Sequence, residues 1–245
     1  MAVAKPAGLP TQAPAAYPSL ESRLRSALAD DPSHPDPSPY FAFPHRLDRP
    51  VSGVILVART KRVAQLLSQQ FESRKVDKRY LAWIQGDPSF ETTRMRHRIR
   101  KVTDQPRGEI VGLDDEGGRD AITDVRVLRR DVPNRRCLVE LAPTTGRMHQ
   151  LRIQCAHIGH PILGDTLYGG SAPWPPDAET VGPSDADENG PRTDRIALHA
   201  WRITFHNPTD GRRVTVDAPP KWPQEIMPPE PLGEEQIGNA DRTTR

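Results

Sequence analysis

The chain has 245 residues, of which 35% are hydrophobic and 27 are proline, so one packed domain flanked by unpacked proline-rich stretches is expected. A net charge of +2 excludes a bulk polycation, and two cysteines exclude a disulfide framework or a Cys-x-x-Cys metal pair. No apolar run approaches the roughly 18 residues of a membrane helix, and Met1–Ala16 lacks a signal-peptide core; the expectation is a cytoplasmic protein with Cys137 and Cys155 reduced.

Residues 1–19, rich in Ala and Pro, read as an extended lead-in. Leu20, Leu24 and Leu28 have helical spacing and predict a short helix. Asp30 to Tyr40 is a loop, because four prolines forbid regular structure there. The β-branched run Val51–Ala58 predicts a strand. Thr60 then caps a helix from Lys61 to about Ser73, with Val63, Leu66, Leu67 and Phe71 as its stripe and Gln70 as a polar exception. Tyr80, Ala82 and Ile84 alternate through Arg79–Gln85, a strand signal. From Arg94 to Arg107, six Lys or Arg face one acid, Asp104. This stretch reads as a basic loop suited to an anionic backbone, although taken alone it is better explained as a solvated face of mixed charge.

Two more strands are expected at Ala121–Leu128 and Arg136–Leu141. Thr144-Thr145-Gly146 starts a helix from Arg147 to Ile158, with Met148, Leu151, Cys155 and Ile158 inward and Gly159 capping its end. Ser171–Asp194 holds six acids against Arg192 and reads as a long loop or disordered insertion. Ile196–Phe205 and Arg213–Val216 close as paired strands around an Asp210-Gly211 turn, and residues 220–245 form a polar, proline-rich tail. Paired strands outnumber helices. The expected fold class is therefore α+β, a mixed, mainly antiparallel sheet with flanking helices, over residues 20–219. No phosphate-binding glycine motif argues for a nucleotide fold.

Three polar clusters carry possible chemistry. In His45-Arg46-Leu47-Asp48-Arg49, cations on both sides favour a charged carboxylate, as a nucleophile or electrostatic stabiliser needs; alone, the pattern fits a structural ion pair at a strand entrance. In Thr145-Gly146-Arg147-Met148-His149-Gln150-Leu151-Arg152, a helix start with Arg147 favours an anion, and Arg152 has the fork to hold a carboxylate. An amphipathic helix with a basic outer face has the same spacing. Tyr80, on its strand, is either a core residue or a stacking platform for a base. His149, His157 and His160 match no metal-ligand spacing, and no metal site is expected.

These segments, in this order, resemble the RluA family of RNA pseudouridine synthases. The resemblance rests on Lys5-Pro6-Ala7-Gly8-Leu9, His45 through Gly53, and Lys78-Arg79-Tyr80-Leu81-Ala82. It continues through Thr145 to Arg152, His160 to Asp165, Tyr168-Gly169 and Leu198-His199-Ala200. It implies an active site in a cleft across the sheet and an enzyme without metal or organic cofactor. It makes Asp48 the essential aspartate, Arg152 its partner, and Tyr80 the residue that stacks on the base. Arg46 fills the gap left by a flipped nucleotide. Arg49, Arg147, His149 and Gln150, together with Arg96, Arg98, Arg100 and Lys101, are expected to contact RNA. Val51 and Gln154 stand where relatives often carry Thr and His. The lead-in lacks most of the family's first strand, so either the sequence starts short or one sheet edge is trimmed.

The expected function is isomerisation of a uridine in ribosomal or transfer RNA, by a monomer with RNA as its partner. Two alternatives belong to other classes. A silent RNA-binding module is expected to have lost Asp48 or Arg152. A nucleosidase needs a second carboxylate, and the one visible candidate, Asp165, reads as a turn residue.

Overall fold

The computed structural model describes residues 1–29, 40–170, 174, 195–223 and 226–227. In chain order the described elements are β1 (Ala2–Lys5), α1 (Leu20–Ala29), β2 (Ser52–Leu56), α2 (Lys61–Glu72), β3 (Asp77–Gln85) and β4 (Thr92–Lys101). They continue with β5 (Gly108–Val111), β6 (Arg119–Asp131), β7 (Arg136–Pro143), α3 (Gln150–His157), β8 (Leu198–His206) and β9 (Arg213–Asp217). All nine strands join one sheet in the order β1-β2-β8-β3-β7-β6-β4-β5, with β9 also on β8. Only β2–β8 is parallel; every other described pairing is antiparallel. The mixed, mainly antiparallel sheet expected of the sequence is present. Among the described residues no helix is long and apolar enough to cross a membrane.

Strand β3 is the centre. Leu81, Ala82, Trp83 and Ile84 are all at most 1% exposed, so this strand is covered on both faces, as a continuous apolar run requires. Helix α2 begins where Thr60 Oγ1 accepts the Val63 N–H. Its buried Leu67 packs with Val54, Leu56 and Ile203, a burial that contributes about 2 kcal/mol. Gln70, the polar interruption in its stripe, has a use. Its amide donates to the His206 carbonyl and accepts the His206 N–H, pinning α2 to the end of β8.

Several expectations need correction. The basic segment Arg94–Arg107 is not a loop but the β4–β5 hairpin. Met95 and Ile99 are buried while Arg94, Arg96, Arg98 and Arg100 alternate with them on the opposite face. The lead-in contains β1, which pairs with β2 and lends the edge a four-residue strand. Helix α3 starts at Gln150, three residues later than expected, and Met148 is exposed outside it rather than packed inward. Packing also runs past residue 219. Trp222 stands edge-on to Trp174, and Trp83 Nε1 donates to the carbonyl of buried Ile226. Apart from Trp174 the acidic 171–194 segment lies outside the described residues, as does 30–39 of the proline-rich loop.

Glycine is required at one sheet position. Gly53 has φ +123° in β2, and a Cβ there would overlap the backbone of Ala200 on the parallel neighbour β8. Gly53→Ala is therefore expected to lower unfolding free energy by about 2–3 kcal/mol, read as a lower urea midpoint. A midpoint within error of wild type would contradict this packing.

Candidate active site

Asp48 lies in a turn closed by the Val51 N–H donating to the Asp48 carbonyl. That turn is clamped from the N-terminal segment. Thr11 exchanges two hydrogen bonds with the Leu47 backbone, and the Arg49 carbonyl accepts from Gly8 N at 2.8 Å and from Lys5 Nζ at 3.3 Å. Lys5 is 1% exposed and also donates to the carbonyls of Pro6 and Leu9. Burial pushes its ammonium down to about 7, against the pull of Asp48. With the backbone held on both sides and Leu47 buried, the Asp48 side chain stands 31% exposed in the cleft.

The cleft has a volume of about 710 Å³. On one side it is lined by residues 44–49 and the end of α2, and on the other by residues 143–152. Lys78 and Tyr80 of β3 and Leu198 of β8 line it between them. It thus gathers Asp48, Tyr80, Arg152, Arg46, Arg49, Arg147, His149 and Gln150 from distant parts of the chain. It does not gather Arg96, Arg98, Arg100 or Lys101. On the β4 face Arg94 forms a fork with Asp124, Arg98 donates to the carbonyls of Leu113 and Gly118, and Arg100 pairs with Glu109. Arg96 and Lys101 are exposed and have no side-chain partner among the described residues.

Arg152, 5% exposed, differs from the expectation in its main partner. Its Nε and Nη2 form a two-pronged pair with Asp165 at 2.6 and 2.8 Å, and Nη1 alone reaches Asp48, at 3.5 Å. Burial works to discharge the guanidinium, but the Asp165 pair and the Asp48 charge outweigh it and raise its pKa. Asp165, expected to be only a turn residue, is 1% exposed and holds Arg152 from outside the cleft.

His149 is the residue before α3, in the left-handed region at φ +53°. Its Nε2 faces Asp48 at 3.8 Å and its Nδ1 lies 2.8 Å from the Tyr168 hydroxyl. Burial lowers its pKa, with Arg152 adding to the effect and Asp48 and Asp165 opposing it. Tyr80 is raised well above the ordinary phenol by burial and then by Asp48, so at neutral pH it is a neutral ring. Burial brings Lys78 down to about 8 while its Nζ donates to the Thr145 carbonyl. Gln150 is fully occupied inside the protein. Its oxygen accepts from Thr145 Oγ1 and Arg147 N, and its amide donates to Ile122 O and Thr123 Oγ1. Among the described residues no three His, Cys, Asp or Glu side chains converge as a metal site would need.

His45 supports this turn from below. Its Nε2 accepts the Leu56 N–H at 2.9 Å and its ring stacks on Phe71. Burial, with Lys78 nearby, depresses it from 6.5 to about 3. The unfolded chain takes up this proton near 6.5 while the folded one refuses it. Stability is therefore expected to fall as pH drops from about 6.5 towards 3. His45→Gln, which keeps an acceptor, should flatten that slope in urea titrations at pH 7 and pH 5; an unchanged slope would contradict the assignment.

Asp165 and Tyr168, which hold Arg152 and His149, were not among the expected site residues. Both lie in the Gly164-Asp165-Thr166-Leu167-Tyr168-Gly169 stretch, whose two glycines mark a constrained turn without naming what it holds.

Comparison with known proteins shows the family. A family model described as RNA pseudouridylate synthase matches residues 1–157. The chain is 36% identical over 191 residues to tRNA pseudouridine synthase C of Pasteurella multocida (strain Pm70), covering 71% of this chain and 70% of that one. It is 33% identical over 225 residues to the dual-specificity RNA pseudouridine synthase RluA of the same organism, covering 89% and 88%. Among solved structures, human RNA Pseudouridylate Synthase Domain Containing 1 superposes with a TM-score of 0.66 at 28% identity, covering 89% of this chain and 79% of that chain.

Proposed function

Since the chain belongs to the RNA pseudouridylate synthase family, we propose that it isomerises a uridine of transfer or ribosomal RNA with Asp48 as the catalytic carboxylate. The family membership makes it an isomerase acting on RNA. The observation that carries the site assignment is the partly exposed Asp48 carboxylate in the cleft, faced by Arg152 Nη1 and His149 Nε2.

The reaction breaks the N1–C1′ glycosidic bond, turns the uracil, and joins C5 to C1′. The C5 proton then leaves and N1 gains one, so atoms and charge balance without a redox partner. A carboxylate against the sugar supports departure of the base either by bonding to C1′ or by taking the C2′ proton to give a glycal. Arg152, held by Asp165, offers a fixed positive charge beside that carboxylate, arranged before the substrate arrives. Tyr80, a neutral ring at the cleft, suits stacking on the uracil while it turns.

A uridine within folded RNA must first leave its stack, at a cost of about a few kcal/mol. Arg46, exposed at the cleft and without a side-chain partner among the described residues, is suited to occupy the space the base vacates. Arg147, whose Nε is held by the Asp120 carbonyl, and Arg49 suit the flanking phosphates.

The test is release of tritium from RNA labelled at uracil C5. Purified protein is expected to release tritium from labelled transfer or ribosomal RNA without producing free uracil. Free uracil would favour hydrolysis of the glycosidic bond instead. No release from either RNA would overturn the proposed targets.

A further inference from the structure

Two residues outside the cleft hold the two groups that face Asp48, and both come from one short turn. Asp165 grips Arg152 through Nε and Nη2. Tyr168 meets His149 Nδ1 through its hydroxyl, and the Arg152 guanidinium lies 5.1 Å from its ring centre. Neither Asp165 nor Tyr168 lines the cleft. We propose that the turn from Gly164 to Gly170 is a positioning device for the reaction. Asp165 aims the remaining Arg152 nitrogen at Asp48, and Tyr168 fixes His149 in the tautomer that offers Nε2–H to Asp48. The inference rests on Asp48 being the catalytic carboxylate.

The turn is rigid for stated reasons. The Asp165 N–H donates to the Ile162 carbonyl, and the Asp165 carbonyl accepts from both Tyr168 and Gly170. Gly164 has φ +79°, where a Cβ would lie 2.8 Å from the Arg195 carbonyl oxygen, and a Cβ on Gly170 would overlap the Ile162 carbonyl. Side chains at 165 and 168 are thus presented from a backbone with little freedom.

The proposed tautomer is the one that leaves the phenol hydrogen with a partner. The Tyr168 oxygen accepts the Gly108 N–H at 3.1 Å. A phenol has one hydrogen to give, and its remaining partner among the described residues is His149 Nδ1 at 2.8 Å. With that hydrogen given to Nδ1, the nitrogen carries none of its own and the ring hydrogen sits on Nε2, facing Asp48 Oδ2 at 3.8 Å. That distance is longer than a hydrogen bond, and catalytic contacts often tighten only when substrate is bound. The charged and titratable groups around His149 are Asp48, Arg152, Asp165 and Tyr168, with Arg107 6.0 Å from the Tyr168 ring centre. Donation from Tyr168 opposes a proton at Nδ1, as burial of the imidazole also does.

Tyr168→Phe keeps the ring and removes the hydrogen, so it tests the device with little disturbance of packing. In the full chain, imidazole nitrogen NMR of His149 is expected to show bare Nδ1 and protonated Nε2 in wild type. The variant should show a mixture of tautomers. On tritiated RNA, kcat is expected to fall about tenfold with KM within about twofold, similar to the loss of a partner that orients a metal-bound histidine. With Nδ1 open to protonation, the acid limb of the pH–rate profile should move to higher pH. A purely structural role would lower the melting temperature without moving that limb. Nδ1–H in wild type, or an unchanged tautomer in Tyr168→Phe, would overturn the inference. The NMR readout needs no turnover, so it decides the inference even if wild type releases no tritium and the proposed function fails.

Discussion

Asp48→Asn is expected to reduce pseudouridine formation by about a thousandfold or more while leaving the protein folded. The magnitude lies towards the upper end of what one acid–base group supplies, because this carboxylate is given both the sugar chemistry and the charge facing Arg152. Little stability should be lost, since Asn has the same shape and the side chain is 31% exposed. The principal partner of Arg152 is Asp165, which remains. RNA binding should persist, because Arg46, Arg49 and Arg147 are unchanged. Single-turnover tritium release, set beside a filter-binding isotherm, separates the two effects. A variant that loses binding and turnover together would show that Asp48 shapes the turn rather than acts in it.

The second large effect falls on stability. Asp165 and Arg152 are 1% and 5% exposed and form a two-pronged pair. Removing Asp165 leaves the buried Arg152 charge with only the 3.5 Å contact to Asp48, so Asp165→Ala is expected to cost about 3–5 kcal/mol. In a chain of this size that corresponds to a fall of about 10 °C in Tm. Replacing both charges by apolar residues, Asp165→Leu with Arg152→Met, should recover much of the lost stability, because no orphaned charge remains. Activity should not return with it, since Nη1 no longer faces Asp48. Recovery of activity in the double variant would show that the pair serves packing alone.

Much of the fold could be read from the sequence because its periodicities are clean. The Thr60 cap and the Val63–Phe71 stripe come directly from burial of one helix face, whereas β3 and β7, read as alternating, are buried on both faces. Strand β4 was hidden by its chemistry. Its inward residues, Met95, His97 and Ile99, alternate with arginines, so charge dominates the reading although the spacing of two was present throughout. Strand β1 is only four residues long and lies in an Ala/Pro-rich stretch, where β-propensity is weak. Met148 fits an inward helical position by spacing, but the left-handed His149 delays the helix and turns Met148 outward.

Asp48, Arg152 and Tyr80 of the candidate site were legible through the resemblance, since the arginines flanking Asp48 alone fit a structural ion pair. Asp165 was not. A lone Asp after Gly fits any turn, and nothing local shows that its carboxylate enters the core to meet an arginine 13 residues earlier. Gln150 was over-read, because its polarity suggests RNA contact while its amide is occupied by Thr145, Arg147, Ile122 and Thr123. Arg98 and Arg100 were over-read in the same way, since basic composition does not show their carbonyl and carboxylate partners.

We propose that this chain converts specific uridines in RNA through Asp48. Single-nucleotide mapping of pseudouridine in total cellular RNA tests it most directly, comparing cells carrying the wild-type gene with cells carrying the Asp48→Asn allele. One or a few uridines in transfer or ribosomal RNA are expected to lose the modification in the variant, with every other pseudouridine unchanged. Identical maps from the two cells would contradict the claim.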